Sequence, residues 1–492
     1  MLTRLRVKGF KNLVDVNVRF DQFTCIAGPN GAGKSNLFDA ITFLGDLASM
    51  PIMKAASRAR GTNGRISDFQ SLFFKNAKGE FLPMLFVAEM IVPSSVTDDF
   101  DRPATPTATF LEYTLELRLS DKHADSSPEE PIFIEQEGLR AIASSDAAKH
   151  LGFSKPAAWI KKHISGPGQR TTPFIRTVPS DTEDPSSLPA IKLHGDQKGK
   201  KTGPPFDVPA RKSPQTVLSG VNSSTHPTAL AARREMRSWQ LLQLEPSALR
   251  RFDNFGDDPH ITSTGEHLPG ALMRLNKYAE VSERLSNLLP DIVAVDVDAD
   301  EKRQVKTLRL TMKDKQTYTA SSLSDGTLRF LALAVLALDP EFGGLLCMEE
   351  PENGIHPSRI PQMLNLVRSL SQDMEEASEV SSPIRQIIIN THSPLVVAEL
   401  TDPELLFAET LKMKAKAFVN FKPLPQTWRH QAATDAKDSE LVTRGLLMSF
   451  LSGQTIRAEV NSHQKLVGRF AYKPAGSAPG KETADLFQQS KP

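Results

Sequence analysis

Residues 28–35 read GPNGAGKS, which is the spacing of a phosphate-binding loop, G-x-x-x-x-G-K-[ST]. The glycines of such a loop let backbone N–H groups point at a phosphate, at the positive end of the helix that follows. We expect Lys34 to bridge the β- and γ-phosphates of a nucleotide and Ser35 to place its hydroxyl on Mg²⁺. The nucleotide-binding residues expected here are Asn30, Gly31, Gly33, Lys34, Ser35 and Asn36.

A pair of glutamates, Glu349 and Glu350, follows an apolar run in the segment LLCMEEPENGIHP. A buried strand delivers such carboxylates at its carboxyl end, where open α/β sheets bind ligands. We expect Glu349 to hold Mg²⁺, directly or through water, and Glu350 to accept a proton from the water that attacks the γ-phosphate. A solvated acidic turn would explain the pair by itself, but the phosphate-binding loop in the same chain favours the catalytic interpretation.

Weaker signals come from four other polar or small residues. Ser324 and Gly326 lie in SSLSDGTLRF, where a serine hydroxyl, a glycine amide and a helix start form a second anion site or an ordinary N-cap. His392 follows the apolar run QIIIN, a place where a lone histidine is usually structural. Gln70 is either a glutamine that senses Mg²⁺ and the γ-phosphate or a polar residue before an apolar strand, and both interpretations stay open.

Hydrophobic periodicity places these motifs on alternating strands and helices. A strand over 23–27 precedes the phosphate-binding loop, and a helix over 36–47 follows it. In the first strand, Leu5 and Val7 face one side and the basic residues between them face the other. The other expected elements are a helix over 328–338, strands over 345–348 and 386–390, strands over 14–20, 81–91, 109–119, 292–297 and 307–312, a helix over 271–289, and a helix followed by a strand over 229–244.

The composition sets limits on the whole chain of 492 residues. Lys plus Arg (59) and Asp plus Glu (58) nearly cancel, so no overall field draws the protein to nucleic acid, and any such surface must be a local patch. Two cysteines exclude a disulfide framework and a four-cysteine zinc site, and we expect Cys25 and Cys347 to be buried reduced thiols. No apolar run is long enough to span a bilayer, so we expect a cytoplasmic protein without a membrane partner.

Taken in order, the phosphate-binding loop, the Ser324 loop, the paired glutamates and His392 resemble the motifs of ABC-type ATPases. The segments FKN, GPNGAGKSN, EEPENGIHP and NTHSP are similar to the SMC, RecF and OLD-like branch. Transport ATPases usually carry aspartate at the positions of Glu349 and His356. The resemblance implies an α/β fold: a P-loop NTPase head with a mixed central sheet and flanking helices, an irregular insertion and a C-terminal extension.

The same resemblance implies a division of the chain and an assembly. The two halves of the ATPase head would be 1–119 and 271–421, separated by a partly disordered insertion, 120–270, and followed by an extension, 422–492, with a disordered tail. The insertion is rich in Pro, Ser, Gly and Lys over 120–227. ATP with Mg²⁺ would be sandwiched in a head-to-tail homodimer between Lys34 of one subunit and Ser324 of the other, and an assembly beyond the dimer stays open.

The resemblance also implies that His392 is the switch histidine that touches the γ-phosphate and the attacking water. The phosphate-loop strand and the acidic strand would flank the His392 strand, so that Cys25 and Cys347 would lie in one sheet, unbonded. No Asp-x-Asp pair follows His392, although OLD-type nucleases carry one there, and the insertion is unsuited to the long coiled coil of SMC proteins.

Three functions follow from these observations. The leading one is a stand-alone ATPase switch that controls a separate effector, a nuclease or toxin, in bacterial anti-phage defence or DNA maintenance. The alternative is a RecF-like DNA-binding repair clamp, for which the chain offers only short lysine clusters that solvated loops explain equally well. A transporter subunit is the weakest of the three. The lysine clusters are 161–162, 198–201 and 412–416.

Overall fold

The computed structural model describes residues 1–60, 66–120, 131–153, 155–166, 168, 170–179, 189–196, 204–372, 385–413, 416–432 and 441–452. Its strands are β1 (Leu2–Phe10), β2 (Leu13–Arg19), β3 (Phe23–Ala27), β4 (Met84–Ile91), β5 (Val96–Thr97), β6 (Pro103–Ala104), β7 (Phe110–Leu119), β8 (Ile132–Ala141), β9 (Ile175–Val178), β10 (Ala190–Leu193), β11 (Phe206–Pro209), β12 (Gln240–Leu242), β13 (Asp253–Asn254), β14 (Ile292–Asp300), β15 (Val305–Met312), β16 (Thr317–Thr319), β17 (Gly344–Glu349), β18 (Arg385–Thr391), β19 (Leu405–Met413) and β20 (Lys416–Pro423).

The described helices stand between groups of these strands and after the last of them. They are α1 (Lys34–Leu47), α2 (Ile52–Arg58), α3 (Ile66–Phe69), α4 (Ala147–Leu151), α5 (Ala157–His163), α6 (Pro227–Arg237), α7 (Pro246–Leu249), α8 (Leu268–Leu275), α9 (Tyr278–Leu288), α10 (Asp325–Leu338), α11 (Ile360–Gln372), α12 (Pro394–Ala398), α13 (Trp428–Ala432) and α14 (Arg444–Ser452). None of the helices in the described ranges is long and apolar enough to cross a bilayer.

Two large sheets organise the fold. An antiparallel sheet of eight strands has the order β11-β10-β9-β8-β7-β4-β1-β2, and a mixed sheet of six strands has the order β12-β17-β18-β3-β19-β20. In the second sheet only β19 and β20 pair antiparallel. A smaller antiparallel sheet contains β13, β15, β14 and β16. The mixed central sheet confirms the predicted fold class, and β18 lies between β17 and β3 as expected.

The six-stranded sheet separates two hydrophobic cores, because successive side chains of a strand point to opposite faces. On one face, Ile26 and Cys347 join α1 and the inner face of the eight-stranded sheet. On the other face, Cys25 and Leu346 join α10 and α11. Both cysteines are buried and free. They lie in one sheet, as predicted, but β18 and the sheet itself stand between them, so no disulfide can form.

The structure corrects one helix and adds strands where an insertion was expected. The expectation of one helix over 271–289 was wrong, since α8 and α9 are separate. Asn276, at φ +51°, ends α8 in the left-handed conformation, which asparagine tolerates better than most residues. Within the expected insertion, β8 to β11 extend the eight-stranded sheet. Lys198, Lys200 and Lys201, and the tail from residue 453, lie outside the described residues.

Candidate functional site

Four parallel strands of the six-stranded sheet end at the same edge, and the motif residues follow their last positions. Glu349, the last residue of β17, pairs in register with Asn390, and Thr391 of β18 pairs with Ala27 of β3. The phosphate-binding loop therefore begins beside His392. A cavity of about 710 Å³ opens at this edge. Its lining includes all six residues expected to bind nucleotide, 30, 31, 33, 34, 35 and 36, together with both glutamates.

The phosphate-binding loop is held in its open ring by backbone conformations that glycine alone adopts readily. Gly33 has a φ of +99°, and a Cβ there would lie 2.4 Å from Nδ2 of Asn12. Lys34 begins α1 and donates hydrogen bonds to the carbonyls of Gly28, at 2.7 Å, and Pro29, at 3.0 Å. Burial lowers the pKa of Lys34, and the nearby Glu350 opposes that shift. The Lys34 ammonium therefore lies inside an anion-binding loop, where a phosphate could replace the two carbonyl oxygens as its hydrogen-bond acceptor.

Glu349 is surrounded by hydrogen-bond donors. Arg60 binds both of its carboxylate oxygens, at 2.8 and 3.1 Å, and Gln243 donates to Oε2 at 3.0 Å. Burial raises the pKa of Glu349, but the hydrogen bonds from Arg60, Ser35 and Gln243 outweigh burial and leave the pKa below its usual range. Glu349 is therefore an anion at neutral pH, next to the hydroxyl of Ser35.

Glu350 points along the same edge and meets His392. Its Oε1 atom lies 2.6 Å from Nδ1 of His392, and its Oε2 atom accepts a hydrogen bond from Nδ2 of Asn353 at 2.8 Å. Glu350 has a φ of +46°, a conformation that costs free energy for a residue with a side chain and that is often found at functional sites. The backbone N–H of Glu350 donates to the carbonyl of Asn390, which fixes this turn to β18.

A third carboxylate of the same segment, Glu352, is buried behind the pair. It accepts a hydrogen bond from the hydroxyl of Thr391, and its Oε2 atom has no partner in the described part of the chain. Burial raises the pKa of Glu352, and the Thr391 hydroxyl opposes that shift. The Glu352–Thr391 contact joins the acidic turn to the strand that precedes His392.

The Ser324 loop lies apart from this cavity. Ser324 is the N-cap of α10, and its hydroxyl accepts a hydrogen bond from the backbone N–H of Thr327 at 3.2 Å. Neither Ser324 nor Gly326 is among the described residues that line the cavity. The second anion site expected from the sequence therefore does not contribute to the described lining of this cavity.

The two glutamines differ in position. Gln70 begins a short 3₁₀ turn and is not among the described lining residues. Gln243 follows β12, the strand that pairs with the acidic strand β17, and it lines the cavity beside Glu349. Sequence reasoning missed Gln243, which lay inside the predicted helix-then-strand segment 229–244 and belonged to no motif. It also missed Arg60, which contacts Glu349 and belongs to no motif, and Arg329, which lies within SSLSDGTLRF and lines the cavity.

Two family models match parts of the chain. One, described as "AAA domain, putative AbiEii toxin, Type IV TA system", matches residues 204–398. The other, described as the RecF/RecN/SMC N-terminal domain, matches residues 1–60. The two matches cover the acidic segment and the phosphate-binding loop respectively, and they confirm the resemblance to ABC-type, SMC-like ATPases. No curated protein matches the chain.

Three of the solved structures that the chain is similar to are SMC heads. An SMC head bound to the C-terminal winged-helix domain of ScpA is 14% identical with a TM-score of 0.40, and 86% of this chain covers 98% of that chain. An SMC head with an extended coiled coil bound to the C-terminal domain of ScpA, from Pyrococcus furiosus, is 11% identical with a TM-score of 0.39. The match covers 86% of this chain and 96% of that chain. The SMC head from Thermotoga maritima is 11% identical with a TM-score of 0.34. The match covers 86% of this chain and 98% of that chain.

Proposed function

We propose that this chain, which its motifs and family matches place among the ABC-type ATPases of the SMC-like group, hydrolyses ATP as a switch that dimerises around the nucleotide. The observation that carries the proposal is the single cavity lined by Lys34, Ser35, Glu349 and Glu350, from which Ser324 is absent among the described residues. A phosphate-binding half without its second anion site needs another subunit to complete it.

Ser35 and Glu349 fit Mg²⁺. A hydroxyl and an ionised carboxylate in contact with each other are the oxygen donors that this hard cation prefers. When bound there, the metal would neutralise charge on the β- and γ-phosphates of ATP. Asn390 and Gln243 flank Glu349 and orient its carboxylate.

Glu350 and His392 act together on the proton of the attacking water. Glu350 is the general base in this proposal, and the His392 ring, 2.6 Å from its Oε1 atom, holds that carboxylate in one orientation. Lys34 leaves the loop carbonyls and donates to phosphate oxygens instead, an exchange of neutral acceptors for charged ones that strengthens its hydrogen bonds.

The proposed output is control of a separate effector, a nuclease or toxin, in bacterial anti-phage defence or DNA maintenance. The family described by an AbiEii toxin and a Type IV toxin–antitoxin system supports a two-component setting. A second candidate, a RecF-like DNA clamp, is favoured by the match of residues 1–60 to the RecF/RecN/SMC model.

The test of the switch uses two variants with opposite expectations. Glu350→Gln removes the base but keeps the nucleotide contacts, so turnover should fall about 100-fold or more while ATP binds and stabilises a dimer. Lys34→Ala removes the phosphate cation, so ATP binding itself should be lost. Steady-state phosphate release and light scattering after size-exclusion chromatography, with and without Mg-ATP, measure both. Normal turnover by Glu350→Gln would show that another group is the base.

A further inference from the structure

A short segment, residues 243–250, runs from the nucleotide cavity to the Ser324 loop. At one end, Gln243 donates to Oε2 of Glu349 at 3.0 Å. At the other end, the guanidinium of Arg250 donates to the carbonyl oxygen of Leu323 at 2.9 Å and to Oδ1 of Asp325 at 2.5 Å. These two acceptors stand immediately before and after Ser324 in the chain.

The segment is fastened along its length. The strand before it, β12, pairs in parallel with β17, and the backbone N–H groups of Gln243 and Glu245 donate to the carbonyls of Ser263 and Thr264. Residues 246–249 then form α7, and Leu249 is buried in the same core as α10. Packed elements shift as units rather than deforming continuously, so these contacts offer a mechanical route from Gln243 to Arg250.

Arg250 suits this task by its geometry rather than by the strength of its ion pair. The side chains of Arg250 and Asp325 are 30% and 48% exposed, and pairs of that exposure add little to folding stability. A guanidinium, however, is planar and carries five N–H donors in fixed directions, so it can hold a carbonyl and a carboxylate together. The backbone on both sides of Ser324 is thereby fixed to residues 243–250.

We propose that Arg250 is a positioning residue that presents Ser324 to the nucleotide bound by the partner subunit. Through residues 243–250 it also couples Glu349 in its own cavity to that loop, so that one composite site influences the other. The proposal rests on the ATP-dependent dimer of the proposed function, because Ser324 meets a nucleotide only across that dimer.

The test compares two adjacent arginines in the Glu350→Gln background. Arg250→Ala should leave binding of a fluorescent ATP analogue to the monomer within about twofold, because Arg250 does not line the nucleotide cavity, and should weaken ATP-dependent dimerisation about tenfold or more. Arg251→Ala is the matched control, since Arg251 is 67% exposed and pairs with Glu266. Arg250→Lys, which keeps the charge but loses the planar fork, should restore dimerisation in part.

Each outcome is decisive. If Arg250→Ala dimerises as tightly as its parent, or if Arg251→Ala weakens the dimer equally, the positioning role is wrong. If Arg250→Ala lowers the unfolding temperature and ATP binding of the monomer, Arg250 is merely structural and the inference falls. If the Glu350→Gln parent itself stays monomeric with Mg-ATP, the proposed function is wrong and this inference is wrong with it. The parent thus tests the dimer, and the Arg250 variants test the positioning role.

Discussion

Glu349 collects more hydrogen-bond donors than any other side chain described at this edge. Arg60 supplies two donors, and Gln243 and Asn390 supply one each. Such a shell orients a carboxylate and keeps it ionised, which are the two properties that a metal ligand needs. The role expected of Gln70 can therefore be tested directly against Gln243, which lies where a sensing glutamine would have to lie.

At the residue scale, Gln243→Ala should raise the Mg²⁺ concentration needed for half-maximal ATP turnover by about tenfold, because Glu349 loses a donor that orients it. Gln70→Ala should leave that concentration unchanged, since Gln70 does not line the cavity. Metal titrations of ATP hydrolysis at saturating nucleotide measure both variants. A shift seen with Gln70→Ala alone would return the sensing role to Gln70.

Sequence reasoning located Lys34, Ser35, Glu349, Glu350 and His392 because each belongs to a short motif next to an apolar strand. Such a strand is buried on both faces, so its end can be found from composition alone. Gln243 was not identified from the sequence because the strand before it, β12, has only three residues and lies at the edge of the sheet. Arg60 escaped because its partners, Glu349 and Asp39, are set by tertiary packing.

At the scale of elements, α1 and most of the long strands were predicted within a few residues, but the long strands β8, β19 and β20 were missed. The short strands β9, β10 and β11 were also missed. These have four residues each and lie in a Pro-, Gly- and Ser-rich stretch, where pairing with neighbouring strands overrides local preference. Their sheet is tied to the following segment by Glu137 of β8. The Glu137 carboxylate accepts hydrogen bonds from the backbone N–H groups of Val217 and Leu218, at 2.7 and 2.9 Å.

Glu137, in the eight-stranded sheet, makes the free energy of unfolding depend on pH. Burial raises the pKa of Glu137 from 4.5 to about 7, and the backbone hydrogen bonds oppose it only in part. The folded protein therefore binds this proton more tightly than the unfolded chain. The resulting stabilisation is complete below about pH 4.5 and is lost as the pH rises through about 7, a change of roughly 3 kcal/mol.

Glu137→Gln should remove that component of the pH dependence, because the amide does not titrate. The measurement is the free energy of unfolding in urea for both proteins between pH 4.5 and 8. As the pH rises, the free energy of unfolding of the wild type should fall relative to that of the variant. Parallel profiles for the two proteins would show that Glu137 titrates normally in the folded state.

At the scale of the whole molecule, charge separates the two candidate functions. The formal net charge is +1, so no overall field favours DNA. We expect tagging at the native locus to recover a second protein, and the purified chain to bind duplex DNA weakly, with no response to ATP. A clamp would instead bind DNA more tightly with ATP and lose affinity steeply with salt, because phosphate contacts release counterions. Electrophoretic shifts across salt and nucleotide conditions decide the matter.

The nucleotide cavity is built from strands that are far apart in the chain. Leu2 and Gln386, 384 positions apart, exchange two hydrogen bonds, and β3 is flanked in its sheet by β18 and β19. At ~5–20 residues per second, a ribosome needs roughly 20–80 s to make the chain between them. Throughout that interval the nascent phosphate-binding loop has no neighbouring strands. The cavity therefore cannot form until β18 and β19 have been synthesised, so we expect no response to ATP from a nascent chain that stops short of them.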